Sequence, residues 1–297
     1  MHTHPDACPD ASCLDASQVT THPFCAPGDG MPTEYRGPHS LSHRGWLDFT
    51  RRLERREEIA AACAAVAGNK RVLDVGGGTG DLTRAVARQL GHCTTVEPHV
   101  QRAETLHERT GADGGGTIDI LPGAAESLPF ADASFDAVIA TWVLPYVEDL
   151  ERSVREMARV CDRSHPESKI VLLGGAADNE LVSILNETCV PVAGEPQDHQ
   201  GYLLGCAAQV LSRHSFGCFS LGRTEAAVHF PEQRVEDRVE AAAETLVNFW
   251  YEDHPKAAEM REAAAPAIYR HFAHRPHAIG DQGLVLTARP KCRADGE

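Results

Sequence analysis

The residues best placed to do chemistry in this chain are a run of glycines between an apolar stretch and a helical one, Asp74-Val-Gly-Gly-Gly-Thr-Gly-Asp81. A turn in which Gly76, Gly78 and Gly80 lack a Cβ lets a ligand approach the backbone. The helix starting near Asp81 points its free N–H groups into the same space. Glu97 closes the next apolar run, where a carboxylate can accept both ribose hydroxyls of an adenosine. Two nucleotide readings compete. A dinucleotide fingerprint asks for G-x-G-x-x-G or a terminal Ala, but the sixth position is Asp81 counted from Gly76 and Thr83 counted from Gly78. An acid at a helix N-terminus also repels a pyrophosphate, which disfavours an NAD(P)-dependent dehydrogenase. The pattern that fits is Asp-x-Gly-x-Gly-x-Gly, led by Asp74.

The elements that must position this loop are legible from periodicity. Arg71–Val75 and Cys93–Val96 read as short buried strands, and Thr117–Leu121, Phe135–Ala140 and Ile170–Leu173 continue the series. Between them lie helical stripes at Leu82/Ala85/Val86/Leu90, Val100/Ala103/Leu106 and Leu150/Val154/Met157/Cys161. Alternation of this kind means a parallel sheet covered on both faces. Phe216–Leu221 and Gly283–Arg289 supply two more strands, and 232–275 reads as a helical region interrupted by Pro255 and Pro266. Residues 1–40, rich in Pro, Gly and polar side chains, predict a flexible arm, and 41–68 predicts N-terminal helices striped by Trp46, Phe49 and Leu53. Residues 69–297 then form the catalytic domain, with inserted segments at about 176–205 and 223–280.

Composition bounds the function. The chain has 297 residues and a net charge of −15, which opposes a grip on nucleic acid or on an anionic membrane. No apolar segment approaches the ~20 residues of a membrane span. Ten cysteines in this length are too dilute for a disulfide scaffold, and none is spaced C-x-x-C. Cys63, Cys93 and Cys161 lie inside apolar runs and read as packed thiols; Cys8 and Cys13, like His2 and His4, lack further ligands for a metal. A cytoplasmic protein without a metal is expected.

The glycine loop resembles motif I of the class I S-adenosylmethionine-dependent methyltransferases. Gly123-Ala-Ala-Glu-Ser-Leu-Pro-Phe-Ala-Asp-Ala-Ser-Phe-Asp-Ala-Val138 resembles the loop and fourth strand of the small-molecule type 11 (UbiE/COQ5-like) branch. The resemblance covers about residues 70–175. It implies a doubly wound, Rossmann-like α/β fold with a mostly parallel seven-stranded sheet, carrying helical lid additions at both termini. It also implies S-adenosyl-L-methionine as cofactor, with Asp74, Gly76, Gly78 and Gly80 along its methionine and ribose end and Glu97 and Pro98 at the ribose. Ala125 and Glu126 would frame the adenine, and Thr141 would lie near the sulfonium. Two positions depart from the family pattern: Ala124 stands where an Asp is usual, and Val143-Leu-Pro-Tyr146 replaces V-L-H-H.

Methyl transfer from a sulfonium is an in-line displacement that needs alignment more than a base, so no universal catalytic signature exists. Acceptor groups should come from outside the nucleotide core. The candidate proton acceptors are His43, His199 and Tyr146, with His39 and Tyr202 beside them; Trp46, Phe49, Phe249 and Trp250 could line an aromatic pocket. The reading is a transferase of secondary metabolism that methylates an O or N atom of a small molecule. Its only other expected partner is a second copy in a homodimer. The alternative is a protein that binds the cofactor without transferring its methyl.

Overall fold

In the computed structural model residues 13–26, 28, 31–39, 41–110 and 115–291 are described. Cys8, His2 and His4 lie outside them. In chain order the elements are α1 (Ala16–Thr20), α2 (His43–Arg52), β1 (Leu53–Glu54), α3 (Arg56–Ala65), β2 (Val72–Val75), α4 (Asp81–Leu90), β3 (His92–Glu97), α5 (Val100–Thr110), β4 (Thr117–Pro122) and β5 (Ala137–Thr141). There follow α6 (Leu150–Val160), β6 (Lys169–Gly175), α7 (Glu180–Ala193), α8 (Gly201–Arg213), β7 (Phe216–Thr224), β8 (Ala227–His229), α9 (Val235–Tyr251), α10 (Ala257–Phe272), β9 (Ala278–Gly280) and β10 (Gly283–Pro290).

Seven strands form one sheet in the order β4-β3-β2-β5-β6-β10-β7. The first four neighbour pairs are parallel; β10 enters antiparallel between β6 and β7. The apolar runs predicted as strands are the central ones because they are buried on both faces: Val72, Leu73, Ala137, Val138, Ile139, Ile170, Val171 and Leu172 have no exposure at all. Strand order reverses between β3-β2 and β5, so the loops after β2 and β5 diverge at the carboxyl ends and leave a crevice there.

A second body covers that crevice. The three-stranded sheet β1-β8-β9 carries α2, α7, α9 and α10 around a separate apolar cluster that includes Trp46, Phe49, Leu181, Phe230, Leu246 and Phe249. Helix α2 is locked onto α9 at Gly45, where a Cβ would stand 2.0 Å from the Asn248 carbonyl oxygen. The segment 41–68, expected to hold helices, does so on either side of Leu53–Glu54, which pair with β8 instead, Leu53 opposite Val228 and Glu54 opposite Ala227. Helix α10 in turn runs through Pro266. That proline is exposed, so the carbonyl it leaves unbonded can turn to water.

The largest departure from expectation lies at the N-terminus. Residues 14–25 are docked: Leu14 exchanges backbone hydrogen bonds of 2.8 and 3.0 Å with Phe219, and Val19 is fully buried. Asp15 and Gln18 form a reciprocal capping box on α1. Cys13 is joined to Cys218 by a disulfide spanning 205 residues of sequence. The Pro/Gly/polar composition that suggests a loose arm is outweighed by a few apolar side chains and one covalent tie. Cys25, Cys63, Cys93, Cys161, Cys189 and Cys206 are free thiols. Among the described residues no helix is long and apolar enough to cross a membrane.

Closing so long a loop restricts the unfolded chain, and the chain-entropy treatment gives up to about 5 kcal/mol. Reduction, or Cys13→Ser, should therefore lower the melting temperature by roughly 5 °C or more. Peptide mapping without reductant should recover Cys13 linked to Cys218. An unchanged melting temperature on reduction would show that this tie contributes nothing.

Candidate cofactor and acceptor site

One cavity of about 350 Å³ lies between the sheet and the cap. Its first half is built by the turns after β2, β3 and β5. Gly76 has φ +77° and its Cβ would strike Val143 Cγ2 at 2.6 Å, so only glycine lets the turn pass under the β5 loop. At Gly78 the nearest atom a Cβ would meet is Trp46 Cζ2 at 3.5 Å, so this peptide faces open space beneath α2. Gly80 serves packing rather than the cavity: it caps α4, and its missing Cβ makes room for Leu106 Cδ1, 2.3 Å away.

Glu97 is buried, and its two carboxylate oxygens accept the backbone N–H groups of Gly78 and His99, each at 3.1 Å. This holds the carboxylate at the edge of the glycine loop. Asp74 is buried as well. One of its oxygens accepts the Thr83 hydroxyl at 2.6 Å, and burial pushes its carboxyl up to about 6. Pro98, Ala125, Glu126 and Thr141 also line the cavity. Glu126 accepts the Glu148 N–H at 2.7 Å and so ties the loop after β5 to the loop after β4. The Thr141 hydroxyl is buried without a partner.

The second half is aromatic at its walls and charged at its floor. Phe49, Trp142, Tyr146, Phe249 and Trp250 bring aromatic rings to it, Trp46 stands over Gly78 where the two halves meet, and Arg55, Gln200 and Asp281 contribute the polar groups taken here as its floor. Trp142 sits at φ +57°, a strained conformation for a bulky residue, and its indole N–H donates to Glu58 Oε1 at 2.9 Å. Arg55 Nε lies 3.2 Å from Glu58 Oε2. Asn179 Nδ2 donates to Asp281 Oδ1 at 2.7 Å. These polar groups fall where the chain crosses between the two bodies: Arg55 between β1 and α3, Asn179 before α7, Gln200 before α8, and Asp281 between β9 and β10. Burial raises the Glu58 carboxyl to about 7 and that of Asp281 to about 6; the field of Arg55 pulls both back down.

Of the three proton acceptors expected from sequence, only Tyr146 reaches the cavity, and burial first, then Asp281, pushes its hydroxyl pKa upward. His43 does not line it: the ring stacks on Trp46, centroids 6.0 Å apart, in the first turn of a helix capped by Ser42. His199 does not line it either. Its neighbour Gln200 takes the cavity wall, while the imidazole is buried against Tyr202, 5.3 Å between centroids, with no hydrogen-bond partner on either nitrogen. Tyr202 lies off the wall too, and His39 pairs with Asp198 at 3.4 Å. Arg55, Glu58, Trp142, Gln200 and Asp281 were not singled out from sequence. The available signal was position: Trp142 follows the carboxyl end of β5, and Asp281 is an acid just ahead of the last apolar strand.

The comparisons agree with this geometry. Residues 73–164 match the methyltransferase-domain family of type 11. The chain is 33% identical over 90 residues to the uncharacterized methyltransferase YcgJ of Bacillus subtilis, a match covering 30% of this chain and 36% of that protein. It is 33% identical over 122 residues to the ubiquinone/menaquinone biosynthesis C-methyltransferase UbiE of Klebsiella pneumoniae, covering 40% of this chain and 45% of that one. Residues 73–164 are thus a methyltransferase domain of the S-adenosylmethionine-dependent type 11 family. The chain spans less than half the length of the curated relatives it matches. The fold of the domain is shared with the crystal structure of YcgJ from Bacillus subtilis, with TM-score 0.51, 17% identity, and coverage of 79% of this chain and 98% of that one. A putative methyltransferase from Bacillus halodurans gives TM-score 0.54 at 17% identity, covering 78% and 98%.

The first half of the cavity fits S-adenosylmethionine. The glycine turn leaves a cradle that a Cβ at Gly78 would begin to fill, the buried Asp74 has an oxygen without a hydroxyl partner, and the Thr141 hydroxyl lacks one altogether. The family match ends at residue 164, so Gln200, Phe249, Trp250 and Asp281 lie outside the matched range.

The raised carboxyls have a measurable consequence. A folded-state pKa above the unfolded one means the folded protein holds more protons between about pH 4 and 7, so its stability falls as pH rises through that window. Each group contributes on the order of 1 kcal/mol to the loss between pH 5 and 8. Thermal melting of the ligand-free protein across this range should therefore decline less steeply in Asp281→Asn than in the wild type. Identical slopes would contradict the raised Asp281 carboxyl.

Proposed function

We propose that this chain transfers a methyl group from S-adenosylmethionine to an O or N atom of a small organic molecule, a metabolite compact enough to lie under the cap. The observation carrying this reading is that one cavity joins the glycine-loop half, with Asp74 and Glu97, to a chamber walled by Trp46, Phe49, Trp142 and Trp250. In this assignment Asp74 holds the cofactor's ammonium, Glu97 and Pro98 its ribose, Gly76 and Gly78 its methionine and ribose backbone, and Ala125 and Glu126 the adenine. Thr141 faces the sulfonium. When bound, the cofactor supplies an electrophilic methyl group. The chain's own residues do the rest: the cap excludes water, the aromatic walls orient the acceptor, and the polar floor takes its proton-bearing group. Ala124 offers the adenine amino group no side-chain acceptor, and Glu126 stands beside it. Helix α2 and the 176–205 and 223–280 segments serve as the substrate lid.

A carbon acceptor is the second reading, favoured by the printed activity of the UbiE relatives. It is opposed by the charged floor of the chamber, which an apolar quinone-like acceptor would leave unsatisfied.

Calorimetric titration should show micromolar binding of S-adenosylmethionine and S-adenosylhomocysteine and none of NADH, with Glu97→Ala losing at least tenfold, ~1.4 kcal/mol. Unchanged affinity in that variant would remove Glu97 from the ribose. With methyl-labelled S-adenosylmethionine and a panel of hydroxylated and amino aromatics, label should appear on oxygen or nitrogen of a subset. Cofactor binding with no label in any acceptor would favour the non-transferring alternative.

A further inference from the structure

Four carboxylates around the cavity are almost wholly withdrawn from water: Glu58, Asp74, Glu97 and Asp281 are 1%, 2%, 3% and 7% exposed. Only two guanidiniums share the space. Arg55 acts on Glu58, Asp74 and Asp281, and Arg102, stacked on Trp46 at 4.7 Å, acts on Glu97. With every carboxylate ionised the site is therefore two positive charges short. S-adenosylmethionine, an ammonium and a sulfonium against one carboxylate, brings a net charge of +1. One negative charge remains, and it falls on the acceptor side, where Glu58 and Asp281 stand against the single Arg55.

Glu58 Oε1 accepts the Trp142 indole N–H, and its Oε2 is ion-paired with Arg55 Nε at 3.2 Å without a hydrogen bond. Asp281 has neither kind of partner on Oδ2: Asn179 donates to its Oδ1, and among the described residues no donor reaches its Oδ2, although the residue lines the cavity. Gln200 adds a second observation: it is 6% exposed, lines the same floor, and its Oε1 has no partner. The chamber thus offers unpartnered hydrogen-bond acceptors, a surplus negative charge, and a wall of six aromatic rings. A protonated amine satisfies all three, since its N–H groups fill the acceptors, its charge meets the carboxylate, and aromatic faces attract cations. An alcohol satisfies only the first, and an organic acid would be repelled.

We propose that the acceptor is a compact organic amine whose protonated nitrogen is held by Asp281 Oδ2 and Gln200 Oε1 within the aromatic chamber. For transfer the ammonium gives one proton to the Asp281 carboxylate, and the freed nitrogen lone pair forms the N–CH3 bond as the S–CH3 bond breaks, its electron pair leaving on S-adenosylhomocysteine and the product being the methylated ammonium. This rests on the methyl-transfer reading for its place in a reaction. It makes Asp281 a specificity-determining residue.

All three tryptophans of the chain, Trp46, Trp142 and Trp250, line the cavity, so intrinsic fluorescence reports on it directly. The test titrates 2-phenylethylamine, 2-phenylethanol and 3-phenylpropionate, each with and without S-adenosylhomocysteine. The amine should bind at least tenfold more tightly than the alcohol, and the acid most weakly. Amine affinity should rise from pH 5 to 8 as the carboxylate facing Arg55, Glu58 and Tyr146 loses its proton, because an ammonium requires the ionised form. Asp281→Asn should abolish the amine-over-alcohol preference. If that variant fails to fold, the wild-type preference and its pH dependence stand as the test. Equal binding of amine and alcohol, a preference for the acid, absence of binding by all three, or a preference intact in the folded variant would each overturn the proposal. Loss of S-adenosylhomocysteine binding with the amine preference retained would instead overturn the cofactor reading.

Discussion

The structure around the cavity turns on one guanidinium. Arg55, set in the crossing between the cap sheet and α3, is the cation whose field acts on three buried carboxylates, Glu58, Asp74 and Asp281. Burying a charge without a partner costs several kcal/mol, so such an arrangement is stable only with protons or cations from outside. The raised carboxyls show which way the protein resolves it when empty-handed: it keeps protons. A cationic ligand resolves it the other way, and the protein's own geometry then favours binding over protonation. Breaking the cluster on the Arg55 side would leave three uncompensated carboxylates, which makes that residue the joint between stability and ligand choice.

The same groups also determine how the two bodies meet. Asn179 caps α7 through Val182 and at the same time holds Asp281 at the end of β9. Glu58, in the first turn of α3, accepts from Trp142 at the end of β5. The cap is therefore tied to the sheet through polar side chains that also form the floor, while its apolar cluster, from Trp46 to Phe272, packs within itself. Strain at Trp142 is sustained because the indole is fixed at both ends, by its backbone N–H to the Leu173 carbonyl at 2.9 Å and by its ring N–H to Glu58.

The sequence is most informative where backbone chemistry admits one solution. A buried strand running into Gly76-Gly-Gly-Thr-Gly80, followed by a strand ending at Glu97, leaves little freedom, and the sheet and the cofactor half are legible from it. Asp74, Gly76, Gly78, Glu97, Pro98, Ala125, Glu126 and Thr141 all come together in space. The acceptor half was far less legible. Its floor is assembled from crossings separated by long stretches of chain, Arg55, Gln200 and Asp281, and no spacing rule connects them. The histidines drew attention for their chemistry, yet His43 and His199 are turned away by helix packing, and an ordinary aspartate before the last strand holds the place. At the N-terminus, composition argued for a loose arm, while Val19, Leu14 and the Cys13–Cys218 link tie it to β7.

The most direct test of the account is a crystal structure of the protein with S-adenosylhomocysteine and 2-phenylethylamine. The account requires the ribose on Glu97, the amino-acid nitrogen on Asp74, the sulfur opening past Thr141 into the aromatic chamber, and the amine on Asp281. A sulfur turned away from Trp142, or an amine seated outside the chamber with Asp281 still unpartnered, would contradict it.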